Sequence, residues 1–258
     1  MSAPYPYDLT PSDGPFLGLV ALQSDQTIES DLRRMLPSGS ELYVSRVPSA
    51  AEVTSENLAQ MERHLTQAAS LLPPQVMYDV VGYGCTSGTA EIGVEVVTRH
   101  VQAGTRTRAV TQPVSALLAA CDTLGLRRIA ILSPYVAEVS DTLRRVLAEA
   151  GVDTPVFGSF HEAEEARVVR IDRASIEAAA RDLMRDAQVD GLFLSCTNLR
   201  TLDAIKPLED ALGVPVLSSN LVIGWHMAGL AGQALVTGPA EAFARGRLFE
   251  KPFSGRAI

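Results

Sequence analysis

Hydrophobic positions along this chain follow two alternating patterns. Short unbroken apolar runs bounded by turn residues predict buried strands. Longer stretches with apolar residues three or four apart predict amphipathic helices. In the first half, FLGLVAL (16–22), ELYVSRV (41–47), MYDVVGYG (77–84) and RAVTQP (108–113) read as strands. TIESDLRRML (27–36), SENLAQMERHLTQAASLL (55–72), TAEIGVEVVTRHVQ (89–102) and VSALLAACDTLG (114–125) read as helices, with Ser55 as an N-cap and a closing Gly125. The second half repeats the theme with strands at RRIAILSP (127–134), TPVFGSF (154–160), GLFLSC (191–196) and PVLSSN (215–220). Its helices are EVSDTLRRVLAEAG (138–151), DRASIEAAARDLMRDA (172–187), TLDAIKPLEDALG (201–213), bent or started by Pro207, and LVIGWHMAGLAG (221–232). The tail from 248 to 258 reads as irregular.

Strands separated by helices of this length predict an α/β fold with parallel sheets covered on both faces. The two halves align in order. FLGLVAL corresponds to RRIAILSP, and DVVGYGCTSG to GLFLSCTNLR. This predicts two similar parallel-sheet subdomains related by a pseudo-twofold axis. The first takes 15–115 plus about 220–258, the second 116–219, and residues 1–14 form a Pro-rich N-terminal arm. Ligands of open α/β sheets bind beyond the carboxyl ends of the strands. Cys85 and Cys196 fall at equivalent strand ends, so the packing of two such halves brings both thiols to one cleft between them.

Composition narrows the function. With 47% hydrophobic and 20% charged residues, the 258-residue chain is globular and long enough for a substantial core. A net charge of −8 argues against a nucleic-acid partner. The absence of a long apolar run predicts no membrane span, and the N-terminus lacks the pattern of a signal peptide. Three cysteines without disulfide spacing suit a reducing cytoplasm, and no Cys or His pair has metal-ligand spacing, so no metal is expected.

A thiol acts when it can become a thiolate, which helix N-termini favour. Each Cys-Thr is expected where a strand hands over to a helix, with unpaired amides stabilising the thiolate and binding a carboxylate. Thr86, Ser87 and Gly88 supply hydroxyls and amides around Cys85; Thr197 and Asn198 do so around Cys196. Free cysteines are often simply buried. That reading is retained for Cys121, in mid-helix on an apolar stripe, whereas the matched contexts of the other two point to chemistry. Tyr83 and His226 read as core residues, and His64, His100 and His161 as surface residues.

The segments GCTSG, SALLAACDTLGLRRIAILSPY and LSCTNLRTLDAIKPLEDALGVPVLSSN resemble the Asp/Glu racemase superfamily, and within it the branch of maleate cis-trans isomerases and arylmalonate decarboxylases. The resemblance covers roughly residues 15 to 245. It implies two α/β subdomains with the active site between them, and no metal or organic cofactor. Cys85 and Cys196 match the two catalytic cysteine positions. Decarboxylase members keep only the second, so having both favours isomerase or racemase chemistry. Thr86, Ser87 and Tyr135 match donors to a substrate carboxylate. LQSDQTIE places Gln23, Ser24 and Asp25 on a substrate-binding loop that maleate isomerases write with Asn where Asp25 stands. Glu165 is the nearest match to a second carboxylate-binding Asn. An ionised Asp cannot donate to a carboxylate as Asn does. Asp25 therefore either caps the following helix or faces a substrate with an amino group. The loop is also similar to that of ectoine-utilisation members, for which diaminobutyrate-type substrates are expected. A small carboxylic acid as substrate and a homo-oligomeric assembly are the further expectations. Cis-trans isomerase, amino-acid racemase, decarboxylase and non-catalytic acid-binding protein stand as alternatives in that order.

Overall fold

The computed structural model describes residues 4–10, 13–36, 39–232 and 246–253. Its first half runs β1 (Phe16–Leu22), α1 (Ile28–Met35), β2 (Glu41–Val47), α2 (Ser55–Gln60), α3 (Glu62–Ser70), β3 (Tyr78–Gly84), α4 (Thr86–Ile92), α5 (Val94–Gly104), β4 (Thr107–Thr111) and α6 (Pro113–Leu124). The second runs β5 (Arg128–Ser133), α7 (Ala137–Glu149), β6 (Asp153–Ser159), α8 (Glu165–Val168), α9 (Arg173–Met184), β7 (Gly191–Leu194), a 3-10 turn at Leu202–Ala204, α10 (Ile205–Leu212), β8 (Val216–Ser218) and α11 (Ser219–Leu230). A second 3-10 turn, Arg247–Glu250, lies in the tail read as irregular.

The strands form two four-stranded parallel sheets, ordered β2-β1-β3-β4 and β6-β5-β7-β8. Adding four to each strand number of the first order gives the second. The internal likeness in the sequence is thus a repeated topology, with β1 matching β5 and β3 matching β7. Helices cover both faces, so Leu17, Leu19, Val20 and Ala21 of β1 are all fully buried, as are Phe193 and Leu194 of β7. α11 packs against β3, β4, α1 and α6. It is buried from Ser219 to Ala228, which is why its sequence shows no polar face.

Polar contacts tie the two halves together. Asn220 Nδ2 donates to Asp31 Oδ2 at 2.9 Å and to the Thr197 carbonyl at 2.8 Å. Thr27 Oγ1 donates to the Asn198 carbonyl at 3.0 Å, and the Thr197 hydroxyl to the Gly84 carbonyl at 3.2 Å. Val53 N–H donates to the Ala163 carbonyl and Glu165 N–H to the Ala51 carbonyl, a short antiparallel bridge from the β2–α2 loop to the start of α8.

Several expected boundaries are corrected. The 55–72 helix breaks at Met61 into α2 and α3, and its N-cap is Thr54, whose side chain accepts from Asn57 N–H. Ser55 instead donates to Glu91. The 89–102 helix begins earlier, at Thr86, and breaks at Gly93, whose φ of 95° suits only a residue without Cβ. Pro207 sits in the first turn of α10, where its missing N–H has no helical partner to lose. The short α8 was not anticipated, because four residues are too few to show a period.

Candidate active site

β3 delivers the first thiol. Cys85 follows Gly84 directly and is the N-cap of α4, in extended conformation at φ −151°. Its sulfur accepts the Gly88 amide at 3.2 Å, and Thr89 Oγ1 donates to its carbonyl at 2.6 Å. Tyr83 lies two residues earlier, hence on the same side of the chain, and its buried hydroxyl donates to Met61 Sδ at 4.0 Å. A side chain at Gly88 has no room. Its Cβ would lie 2.8 Å from Cys85 Sγ and 2.7 Å from Met61 Cε. Gly88→Ala is expected to displace the thiol and lower kcat by about 10²-fold. Turnover measured beside thermal melting separates this from unfolding.

The second thiol is held differently. β7 ends at Leu194 and the next helical residue is Leu202, so Cys196 is not at a helix N-terminus, contrary to expectation. It occupies a turn with φ of 125°, a value side chains rarely tolerate and one that costs of order 1–3 kcal/mol. Three contacts hold it there. Cys196 N–H donates to Ser219 Oγ at 3.0 Å, its sulfur accepts the Asn198 amide at 3.3 Å, and Tyr135 Oη lies 3.0 Å from the sulfur. Ser219 Oγ also accepts from Thr86 Oγ1 at 2.7 Å. One hydroxyl thereby links the Cys196 backbone to the side chain of Thr86, next to Cys85. Sequence reasoning missed Ser219, although it lies in the quoted LSSN segment, because 215–220 reads as a strand and the structure starts a helix at Ser219.

Glu165 completes the constellation. It is 4% exposed, with Oε1 accepting from Tyr135 Oη at 2.5 Å and Oε2 from Asn198 Nδ2 at 2.6 Å. Asn198 Oδ1 accepts from Gln26 N–H at 2.9 Å, so this side chain clamps the β1–α1 loop to α8.

Cys85, Thr86, Ser87, Tyr135, Glu165, Cys196, Thr197 and Asn198 line one cavity with Leu22 and Leu58. Its free volume is about 10 Å³, room for about one water. The structure thus brings together Cys85, Cys196 and five of the eight expected binding residues. Gln23, Ser24 and Asp25 do not line the cavity. Gln23 is exposed, Ser24 pairs with Ser49 at 3.1 Å, and Asp25 Oδ1 accepts from the Thr27 and Ile28 amides, each at 2.8 Å. Asp25 therefore caps the first turn of α1.

Burial dominates the electrostatics. It pushes the Cys85 thiol up to about 12, more than the Gly88 amide and Tyr83 hydroxyl can offset. It pushes Cys196 well above the ordinary thiol range, with Glu165 adding repulsion, against the Tyr135 and Asn198 hydrogen bonds. The thiolates expected from the strand-end contexts are thus opposed by desolvation, which a sequence does not display. Burial also raises Glu165, against the Tyr135 and Asn198 bonds, and Asp25, against its two amides. Elsewhere, Cys121 is buried in α6. His226 is buried 2.7 Å from Thr111 Oγ1 and stacks on Trp225. His64 and His161 are exposed, whereas His100 is half-buried between Thr66 and Glu62.

Comparison with known proteins gives a consistent picture. Residues 94–249, a span holding Tyr135, Glu165 and Cys196 but not Cys85, match the family model of arylmalonate decarboxylase. The arylmalonate decarboxylase of Bordetella bronchiseptica is 33% identical over 138 residues, 53% of this chain and 56% of that protein, so the match spans about half its length. The maleate isomerase of Nocardia farcinica is 26% identical over 213 residues, 79% of this chain and 84% of its own. A solved cysteine-to-serine variant of maleate cis-trans isomerase from the same organism, with a covalently bound succinylcysteine intermediate, shares the fold. Its TM-score is 0.76 at 22% identity, covering 92% of this chain and 98% of that one. No helix among the described residues is long and apolar enough to cross a membrane. With more than half of its residues matched by one family model, the chain belongs to the arylmalonate decarboxylase family, and maleate isomerases are among the proteins it is similar to.

Proposed function

We propose that this protein is a cofactor-independent isomerase of a small carboxylic acid, working through Cys85 and Cys196. The observation that carries this is the placing of two thiols, one from each half, on one cavity with the hydroxyls of Thr86, Ser87 and Tyr135. In the maleate-type reaction, Cys85 passes its proton to a bound substrate carboxylate, and the thiolate adds to the alkene carbon beside that carboxylate. The alkene electrons move toward the other carboxylate, and the Cys196 thiol protonates the resulting carbon. The bond between the two carbons is then single and rotates. Cys196 thiolate removes the proton, the alkene reforms as trans, and Cys85 leaves as thiolate. The adduct is a succinylcysteine, the species named for the Nocardia structure. The Thr86 and Ser87 amides and the Ser87 hydroxyl, at the start of α4, stabilise the enediolate charge. The cavity as described holds about one water, so substrate binding requires it to widen.

A second reading, racemisation of an amino-acid-like acid by the same two thiols, is favoured by the charge of the site. The Glu165 carboxylate lines the cavity, Asp25 lies within its field, and none of the lining residues is Lys or Arg. An ammonium group suits that field better than a second carboxylate. A decarboxylase, with Cys196 alone protonating the product, is disfavoured by Cys85 in the pocket. We also infer a homo-oligomer in a reducing cytoplasm; three free thiols suit that compartment, and symmetric assembly is common for such folds.

Incubation with maleate is expected to yield fumarate, read by ultraviolet absorbance. The same incubation in deuterium oxide with diamino and dicarboxylic amino acids reads α-deuteration. Deuteration without fumarate selects racemisation, and binding of these acids without either product overturns the enzymatic reading.

A further inference from the structure

Cys196, Tyr135 and Glu165 form a continuous hydrogen-bonded chain: 3.0 Å from sulfur to phenolic oxygen and 2.5 Å from that oxygen to Glu165 Oε1. We propose that this chain is a proton relay in which Glu165 is the resting store of negative charge and receives the Cys196 proton through Tyr135. Glu165 is thus a positioning residue for Cys196, and the inference rests on the two-thiol reading.

The geometry sets the direction of each bond. Glu165 Oε2 accepts from Asn198 Nδ2, and Oε1 accepts from the phenol. Two accepted hydrogen bonds suit the ionised carboxylate. Tyr135 has one hydrogen, directed at Glu165, so toward Cys196 it offers a lone pair. The thiol must then donate. In the step, the S–H proton passes to the phenolic oxygen as the phenolic proton passes to Oε1. Before it, the trio is thiol, phenol and carboxylate; after it, thiolate, phenol and carboxylic acid. Charge is conserved, and no proton leaves the cavity. This resolves a difficulty of the site, where burial opposes a second free anion beside Glu165. Moving one charge along the chain makes a thiolate without adding one.

The ionisable groups facing the trio are few. Cys85 approaches from the β3–α4 junction and Asp25 from the β1–α1 loop, with Arg46 behind Asp25. Neither Cys85 nor Asp25 is hydrogen-bonded to Cys196 or Tyr135 among the described residues.

The test needs no substrate. Alkylation of the intact protein by iodoacetamide is followed by mass spectrometry of the Cys196 peptide from about pH 5 to 9. Because the thiolate is the nucleophile, an isolated thiol gives a rate rising about tenfold per pH unit. The relay holds the thiolate fraction constant once Glu165 is ionised, so the parent profile should be flat through neutrality. Glu165→Gln and Tyr135→Phe should each replace the flat region with the tenfold rise. Tyr135→Phe removes one oxygen, keeps the ring, and guards against misfolding of the Gln variant. A tenfold rise in the parent, or a flat region kept in Tyr135→Phe, overturns the relay. Loss of the two-thiol reading would look different: a flat profile with no turnover of any acid.

Discussion

Cys196→Ala is expected to lower kcat for isomerisation by about 10²–10⁴-fold, and Cys85→Ala to do the same. Neither thiol has a substitute. Tyr135 touches Cys196, but burial and the neighbouring Cys196 and Glu165 hold its phenol far above the neutral range. Tyr83, behind Cys85, is likewise raised by burial. Each phenol sits behind its thiol, Tyr135 with its hydrogen directed at Glu165, and orients a proton that the thiol carries. The variants should therefore bind substrate and fail in chemistry, with KM little changed and kcat lost. Single-turnover kinetics with circular dichroism checks this. A Cys85→Ala enzyme of undiminished activity would leave a one-thiol reaction of the decarboxylase kind. The strained backbone adds a second signature. Cys196→Gly should be inactive yet more stable than Cys196→Ala by about 1–3 kcal/mol, because glycine accepts φ of 125° without cost.

The second large effect is on stability. Asn220→Ala should destabilise the protein by about 3 kcal/mol at pH 8, leaving Asp31 and the Thr197 carbonyl without their seam donor. For a chain of this size that lowers Tm by about 6–12 °C. The cost depends on pH with a definite sign. Burial raises Asp31 to about 6 in the folded protein, against the Asn220 hydrogen bond and the Arg34 charge. Its ordinary value is 3.8. A carboxyl raised on folding contributes stability in its protonated form. That contribution is full below the ordinary value, shrinks as pH rises, and is lost above about 6. Without Asn220 the folded carboxylate becomes still less favourable. The penalty of the variant should thus be largest above pH 6 and smaller near pH 4, where Asp31 is protonated and the Thr197 bond remains the main loss. Denaturant titrations of parent and variant at the two pH values check this; an equal penalty at both would place the cost in packing alone.

The chain by itself determined the architecture. FLGLVAL and GLFLSC are apolar on both faces, which only a sheet covered twice can accept, and the repeat of strand, helix and Cys-Thr fixed the pairing of halves. It also marked the two thiols and the hydroxyls after Cys85, because residues just beyond strand ends project into the cleft by rule. Asp25 was legible only as a choice between cap and ligand, and in the structure its Oδ1 accepts the Thr27 and Ile28 amides as a cap does. Tertiary structure alone decided the rest. Glu165 reaches the cavity because a backbone bridge from residues 51–53 seats α8, a contact more than 100 residues long in sequence. Ser219 joins Thr86 to the Cys196 backbone across the seam between the halves. The protonation of both thiols follows from how much water the folded halves exclude, and desolvation is a property of the assembled cavity rather than of any segment that lines it.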